Sequence, residues 1–142
     1  MTSLLDVNVL IALFDAAHVH HGPAHAWLAE HRAQGWATCP ITQNGCVRVL
    51  SQPRYPGALP TSEAVRRLRN ATAADDHAFW SDSISVCDPK CFDADRILDP
   101  KAVTNAYLLA LARAHGGRLV TFDRATPRGA VVGALAESLV VL

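Results

Sequence analysis

The chain opens on the uncharged Ser3-Leu4-Leu5, followed by Asp6 and then by Val9, Leu10, Ala12 and Leu13 at helical spacing. An apolar run that gives way to a 3.6-residue period across a polar residue predicts a buried strand, a turn and a helix. From His20 to Arg32, Ala24, Trp27 and Leu28 share one face of a second predicted helix. Gln34-Gly35 breaks it, and Trp36-Ala37-Thr38-Cys39 predicts a second strand. Pro40 opens and Gln52-Pro53 closes a helix over Ile41 to Leu50, because proline suits a first turn and cannot continue a helix. The proline-rich stretch Arg54 to Pro60 reads as a loop, and Thr61-Ser62-Glu63 starts a helix that turns Val65 and Leu68 inward.

Further along, Ile84-Ser85-Val86 alternates as a third strand would. Ala102 to His115 carries an apolar stripe of Val103, Ala106, Tyr107, Ala110, Leu111 and Ala114 and is the clearest helix in the chain. After Gly116-Gly117, Arg118 to Phe122 predicts a fourth strand ending on Asp123, and Leu139 to Leu142 a fifth. Strands alternating with helices predict an α/β fold, a parallel sheet covered on both faces. No repeat, linker or low-complexity segment divides residues 1–142, so a single domain is expected.

Composition narrows the class. Half the residues are hydrophobic and 18% are charged, which excludes a disordered chain. The 13 basic and 13 acidic residues cancel, so no global basic charge draws the protein to nucleic acid, and a local patch would have to do so. Near-zero charge favours association, as a homodimer or with a partner. Met1-Thr2-Ser3 has no basic character, and no apolar run reaches the roughly 18 residues of a membrane span. The expectation is a cytoplasmic protein without membrane contact. Cys39, Cys46, Cys87 and Cys91 have no C-x-x-C spacing and read as small buried apolar residues rather than a zinc site.

Two acids end predicted strands, Asp6 and Asp123, and open parallel sheets bind ligands beyond the carboxyl ends of their strands. A carboxylate at the end of an apolar strand is disfavoured in its charged form unless something compensates it. A hard, oxygen-seeking Mg²⁺ or Mn²⁺ ion is one compensation, often held by one or two carboxylates and water. The other reading is that each acid caps the segment after it as an Asx turn. Spacing alone does not choose between them.

The run Leu4-Leu5-Asp6-Val7-Asn8-Val9-Leu10-Ile11-Ala12-Leu13 resembles the opening of PIN domains, in particular the VapC toxins of VapBC toxin–antitoxin pairs. Three more blocks match in order: Trp36 to Thr42, Gly45 to Ser51, and Val103 to Ala112 running into Gly117 to Arg124. The resemblance covers nearly the whole chain. It implies an α/β/α sandwich around a parallel sheet of about five strands. It also implies a Mg²⁺- or Mn²⁺-dependent endoribonuclease acting on structured RNA of the transfer or ribosomal class, inhibited by a VapB-like antitoxin and usually homodimeric.

The resemblance likewise implies the site. The first-strand Asp of the family falls on Asp6, with the polar residue two positions on at Asn8, and the last Asp falls on Asp123. The family's third-helix Glu falls on Gln43, and the Asp that opens its long helix falls on Asn105. Asp6, Gln43, Asn105 and Asp123 are thus the expected catalytic set, with Asp6, Asn105 and Asp123 as metal ligands and Asn8 and Arg124 as substrate contacts. Two of the four acids are amides here, which keep the shape and lose the charge. At about 4 Å and an effective dielectric of about 20, each lost charge removes on the order of 4 kcal/mol of raw attraction to a monovalent centre. Removing like charges also relieves repulsion in the metal-free fold. Three explanations stand side by side: a natural variant with weakened or altered catalysis, an isosteric inactivating replacement, or Asp95 or Asp99 supplying the missing charge.

His18, His20, His21 and His25 cluster, with His21 and His25 four apart as in a helical metal pair but with no Glu completing H-E-x-x-H. They read as polar positions at the start of a helix near the cleft, where one of them is a candidate RNA contact. Arg48, Arg54, Arg66, Arg67, Arg69 and Arg124 are the candidate phosphate contacts, Arg124 being the best placed beside Asp123. Trp27, Trp36 and Trp80 read as core or interface residues.

Overall fold

Leu4, Leu5, Ala37, Thr38, Leu119 and Val120 have no exposed surface. Such residues are strands buried on both faces, and a parallel sheet is the arrangement that buries them. In the computed structural model, which describes residues 1–142, they form β1 (Ser3–Leu5), β2 (Trp36–Thr38) and β4 (Arg118–Thr121). The edges are β3 (His77–Phe79) and β5 (Leu139–Val141). The five strands are all parallel in the order β3-β2-β1-β4-β5. Leu4 pairs with Ala37 on one side and Leu119 on the other, so β1 is the middle strand. The order reverses direction between β1 and β4, which opens a crevice above their carboxyl ends.

Successive strand residues point to opposite faces. Leu4 and Leu119 enter one core with α5 (Val103–Ala114), where Ala106, Leu108, Leu109, Leu111 and Ala112 are fully buried. Leu5 and Val120 enter the other core, with α1 (Val7–Phe14), α2 (His21–His31), α3 (Pro40–Leu50) and α4 (Thr61–Thr72). The architecture is the expected α/β/α sandwich. Helix α3 packs so closely on α1 that a Cβ at Gly45 would lie 2.5 Å from Val7 Cγ2. That approach fixes the segment next to Asp6. No helix is long and apolar enough to cross a membrane.

Two sequence expectations are corrected. The third strand is His77–Phe79 and not Ile84–Val86. Residues 77–79 carry the ladder to β2, pairing His77 with Trp36 and Phe79 with Thr38. They escape the hydrophobic pattern because they form an edge strand: His77 and Ala78 are half-buried, and Phe79 is 55% exposed. Ile84 instead packs against the α5-side core from a loop, and its carbonyl accepts a hydrogen bond from Tyr107 Oη at 3.0 Å. Its burial mimics a strand position. Among the cysteines, Cys39 and Cys46 are buried as expected, but Cys87 is exposed and Cys91 half-buried.

Candidate active site

Asp6 directly follows β1 and is the N-cap of α1. Its Oδ1 accepts from the Val7 amide at 2.7 Å, and its Oδ2 accepts from Thr121 Oγ1 at 2.6 Å. Only 5% of the residue is exposed. Burial pushes its carboxyl above the ordinary carboxylate range, and the charge of Asp123 acts in the same direction. The hydrogen bonds from Thr121 and Val7 pull the other way without cancelling the rise. The charge of Asp123 therefore reaches Asp6 across the crevice between β1 and β4.

Asp123 shows the same division of labour. Its Oδ1 accepts from the Ala125 amide at 2.8 Å in an Asx turn, and its Oδ2 accepts from Asn105 Nδ2 at 2.7 Å. The capping role and the site role are thus not rivals: in both acids one oxygen holds the backbone and the other faces side chains. Asn105, in the first turn of α5, also donates to Thr126 Oγ1 at 3.3 Å. Asn105 thus offers its amide N–H, rather than its carbonyl, to the acid beside it.

Asn8 and Thr121 hold this arrangement together. Asn8 Nδ2 donates to Thr121 Oγ1 at 3.2 Å, and Asn8 Oδ1 accepts from the Phe122 amide at 3.2 Å. Both ends of that amide tie α1 to the end of β4, so Asn8 acts as a positioning residue. Thr121 Oγ1 donates to Asp6, and accepts from Asn8 and from the Asp123 amide at 3.0 Å. Thr121 was not among the expected site residues. Hydrophobic pattern and charge give no signal for it, because it is a neutral hydroxyl buried at the end of a strand.

Gln43 stands apart from this network. Its Nε2 donates to Thr38 Oγ1 at 2.9 Å, and that oxygen also bonds His77 Nε2 at 2.8 Å. The side chain lines a recess with Val65, Leu68, Arg69 and Thr72 of α4. Asp99 caps a short 3-10 turn, its Oδ1 accepting from the Lys101 amide at 2.9 Å, and Asp95 is exposed on another turn. Neither hydrogen-bonds to Asn105 or Asp123. Arg124 is exposed, and the salt bridges of the chain lie elsewhere, at Arg32–Asp76, Glu63 with Arg66 and Arg67, and Asp93–Arg96. No cation therefore neutralises Asp6 and Asp123, and nowhere do three His, Cys, Asp or Glu side chains converge on one point.

The donor set at the crevice is made of hard oxygens: two carboxylates and, were its side chain turned, one amide carbonyl. That set fits Mg²⁺ or Mn²⁺, which take one or two protein carboxylates and keep several waters. It does not fit a soft metal, because no thiol or imidazole shares a hydrogen bond with either acid.

Other proteins share this sequence and shape. The PIN domain model matches residues 3–131. Ribonuclease VapC44 of Mycobacterium tuberculosis is 51% identical over 142 residues, covering all of both chains. Ribonuclease VapC39 of the same organism is 42% identical over 134 residues, 94% of this chain and 96% of that one. Two solved structures share the fold at low identity. Mycobacterium tuberculosis VapC20, a sarcin-ricin loop cleaving toxin, has a TM-score of 0.58 at 14% identity and covers 92% of this chain and 96% of that one. VapBC2 from Rickettsia felis, bound to a DNA fragment from its promoter, has a TM-score of 0.62 at 12% identity, with 100% and 98% covered. By sequence over its full length and by fold, this chain belongs to the PIN-domain family and, within it, to the VapC ribonucleases.

Proposed function

We propose that this chain is a metal-dependent endoribonuclease toxin, with Asp6 and Asp123 as the acids that hold Mg²⁺ or Mn²⁺ and Asn105 completing the set. One observation carries this reading: two carboxylates meet at the topological switch point, one of them buried, with no cationic side chain to neutralise them. Full-length identity of 51% to a protein named as a ribonuclease supports the same chemistry. When bound, such an ion lowers the pKa of a water and neutralises charge on the phosphodiester. The residues of the chain do the positioning. Thr121 aims Asp6 Oδ2, Asn8 holds the end of β4, and the Asx turn at Asp123 fixes its carboxylate. Arg124, exposed beside Asp123, is placed to meet a phosphate of the substrate. The substrate is structured RNA of the transfer or ribosomal class, the partner a VapB-like antitoxin, the resting state a homodimer and the compartment the cytoplasm.

A second reading rests on the amides. Asn105 donates to Asp123 and Gln43 is turned towards Thr38, so the centre holds fewer charges than a four-acid site. On that reading the chain binds RNA or antitoxin without cutting. An RNA cleavage assay in Mn²⁺ distinguishes the two, run on this chain beside the Gln43→Glu, Asn105→Asp double variant. The first reading expects both proteins to cut, the double variant faster. Cutting by the double variant alone selects the second.

A further inference from the structure

The four clustered histidines divide into two pairs with different surroundings. His21 Nδ1 bonds Ala12 O at 2.7 Å, and His25 Nε2 bonds Leu13 O at 3.1 Å. Those two rings lie 4.3 Å apart and tie α2 to the last turn of α1. Their ring nitrogens serve the fold. His18 and His20 sit on the preceding loop, where His18 Nδ1 accepts from the His20 amide at 3.0 Å and so fixes the turn.

His20 itself is exposed, and neither of its ring nitrogens has a hydrogen-bond partner in the protein. Its ring stacks on Phe122 at a centroid distance of 4.5 Å and an interplanar angle of 20°. Phe122 lies between Thr121, which bonds Asp6, and Asp123, and its amide bonds Asn8. The His20 ring is therefore a flat surface beside the segment that carries Thr121 and Asp123, backed by a second aromatic ring. His18 stands beside it at 5.7 Å, and Val19 between them is 82% exposed. The loop Ala16–His20 carries no acid to repel a phosphate backbone, and the nearby Asp15 is engaged by Tyr55 Oη at 2.5 Å.

An exposed aromatic face, backed by another ring and set against a hydrolytic centre, is the form of a base-stacking platform. We infer that His20, supported by Phe122, stacks on an unpaired base of the RNA next to the phosphodiester presented to Asp6 and Asp123. The inference rests on the ribonuclease reading for the identity of the ligand. It adds a specificity-bearing contact that the acids do not supply. Stacking accepts every base but favours the larger purines, so the platform biases the enzyme towards a purine at that position.

The test is binding of fluorescein-labelled decamers of adenosine and of uridine in EDTA, where no cleavage takes place, to the full chain and to three variants. The expected result is tighter binding of the adenosine decamer. In His20→Ala that binding weakens roughly ten- to a hundredfold, the range one stacked base supplies, and the preference over uridine collapses. His20→Phe restores most of both, His20→Gln restores neither, and the thermal unfolding midpoint changes little throughout. Unchanged adenosine binding in His20→Ala overturns the inference. So does a loss confined to binding of an antitoxin peptide, which would make the ring a protein contact. Because binding is read apart from cleavage, a chain that stacks RNA through His20 but never cuts it removes the ribonuclease reading alone. A chain that cuts RNA with its affinity indifferent to His20 removes this inference alone.

Discussion

Asn105 is the residue at which charge and shape separate most cleanly in this protein. Its Nδ2 sits 2.7 Å from Asp123 Oδ2, so in the metal-free molecule the amide does part of the work of a cation. An aspartate at the same position would turn that attraction into repulsion between carboxylates. Asn105→Asp is therefore expected to lose about 1.5–3 kcal/mol of metal-free stability, the usual worth of a hydrogen bond to a charged group. Saturating Mn²⁺ should then raise its unfolding midpoint by more than it raises that of the unaltered chain. Thermal melts with and without Mn²⁺ check both signs, and an equal Mn²⁺ shift in the two proteins would show that Asn105 lies outside the metal's reach. Asp6 and Asp123 were legible in the sequence because each ends an apolar run that only a strand explains. Thr121, which holds Asp6 Oδ2, was not legible, since a hydroxyl inside a strand leaves no mark on hydrophobic pattern or charge. The direction in which Gln43 turns was equally hidden. Which neighbour an amide chooses depends on the side chains around it, here Thr38 on β2 and its partner His77 on β3.

At the scale of elements, pattern predicted the buried strands and failed at the edge. β1, β2 and β4 are apolar on both faces and announce themselves, whereas β3 is a His-Ala-Phe segment half open to solvent. What holds β3 is pairing with β2 and the packing of the His77 ring edge-on against Trp36 at 4.6 Å. That packing has a pH signature. Burial holds the His77 imidazole below its ordinary value of 6.5, against the opposing pull of a backbone hydrogen bond to Thr72 and the charge of Asp76. Below 6.5 the unfolded chain binds a proton that the folded chain resists, so this contribution is intact above 6.5 and lost as pH falls through the lowered folded value. The unfolding midpoint is expected to drop between about pH 7 and pH 5. His77→Phe, which retains the ring without the titration, should flatten that slope. An unchanged slope would assign the acid sensitivity to other groups.

Across the whole molecule, the strand order β3-β2-β1-β4-β5 explains why residues 117 positions apart serve one site. Asp6 leaves the central strand and Asp123 leaves its neighbour, so the reversal of winding brings both acids to the same crevice. With a formal net charge of zero, the protein as a whole does not draw RNA to itself. On the proposed function, affinity comes from local features, and the candidates are a cation on two carboxylates, Arg124 and the ring of His20. The account therefore stands on the carboxylate pair, and Mn²⁺ titration calorimetry of the full chain beside Asp6→Asn tests it most directly. Saturable binding to the unaltered chain, weakened by more than roughly a hundredfold in Asp6→Asn, is the predicted result. Two superimposable titrations, or no binding to either protein, would contradict it.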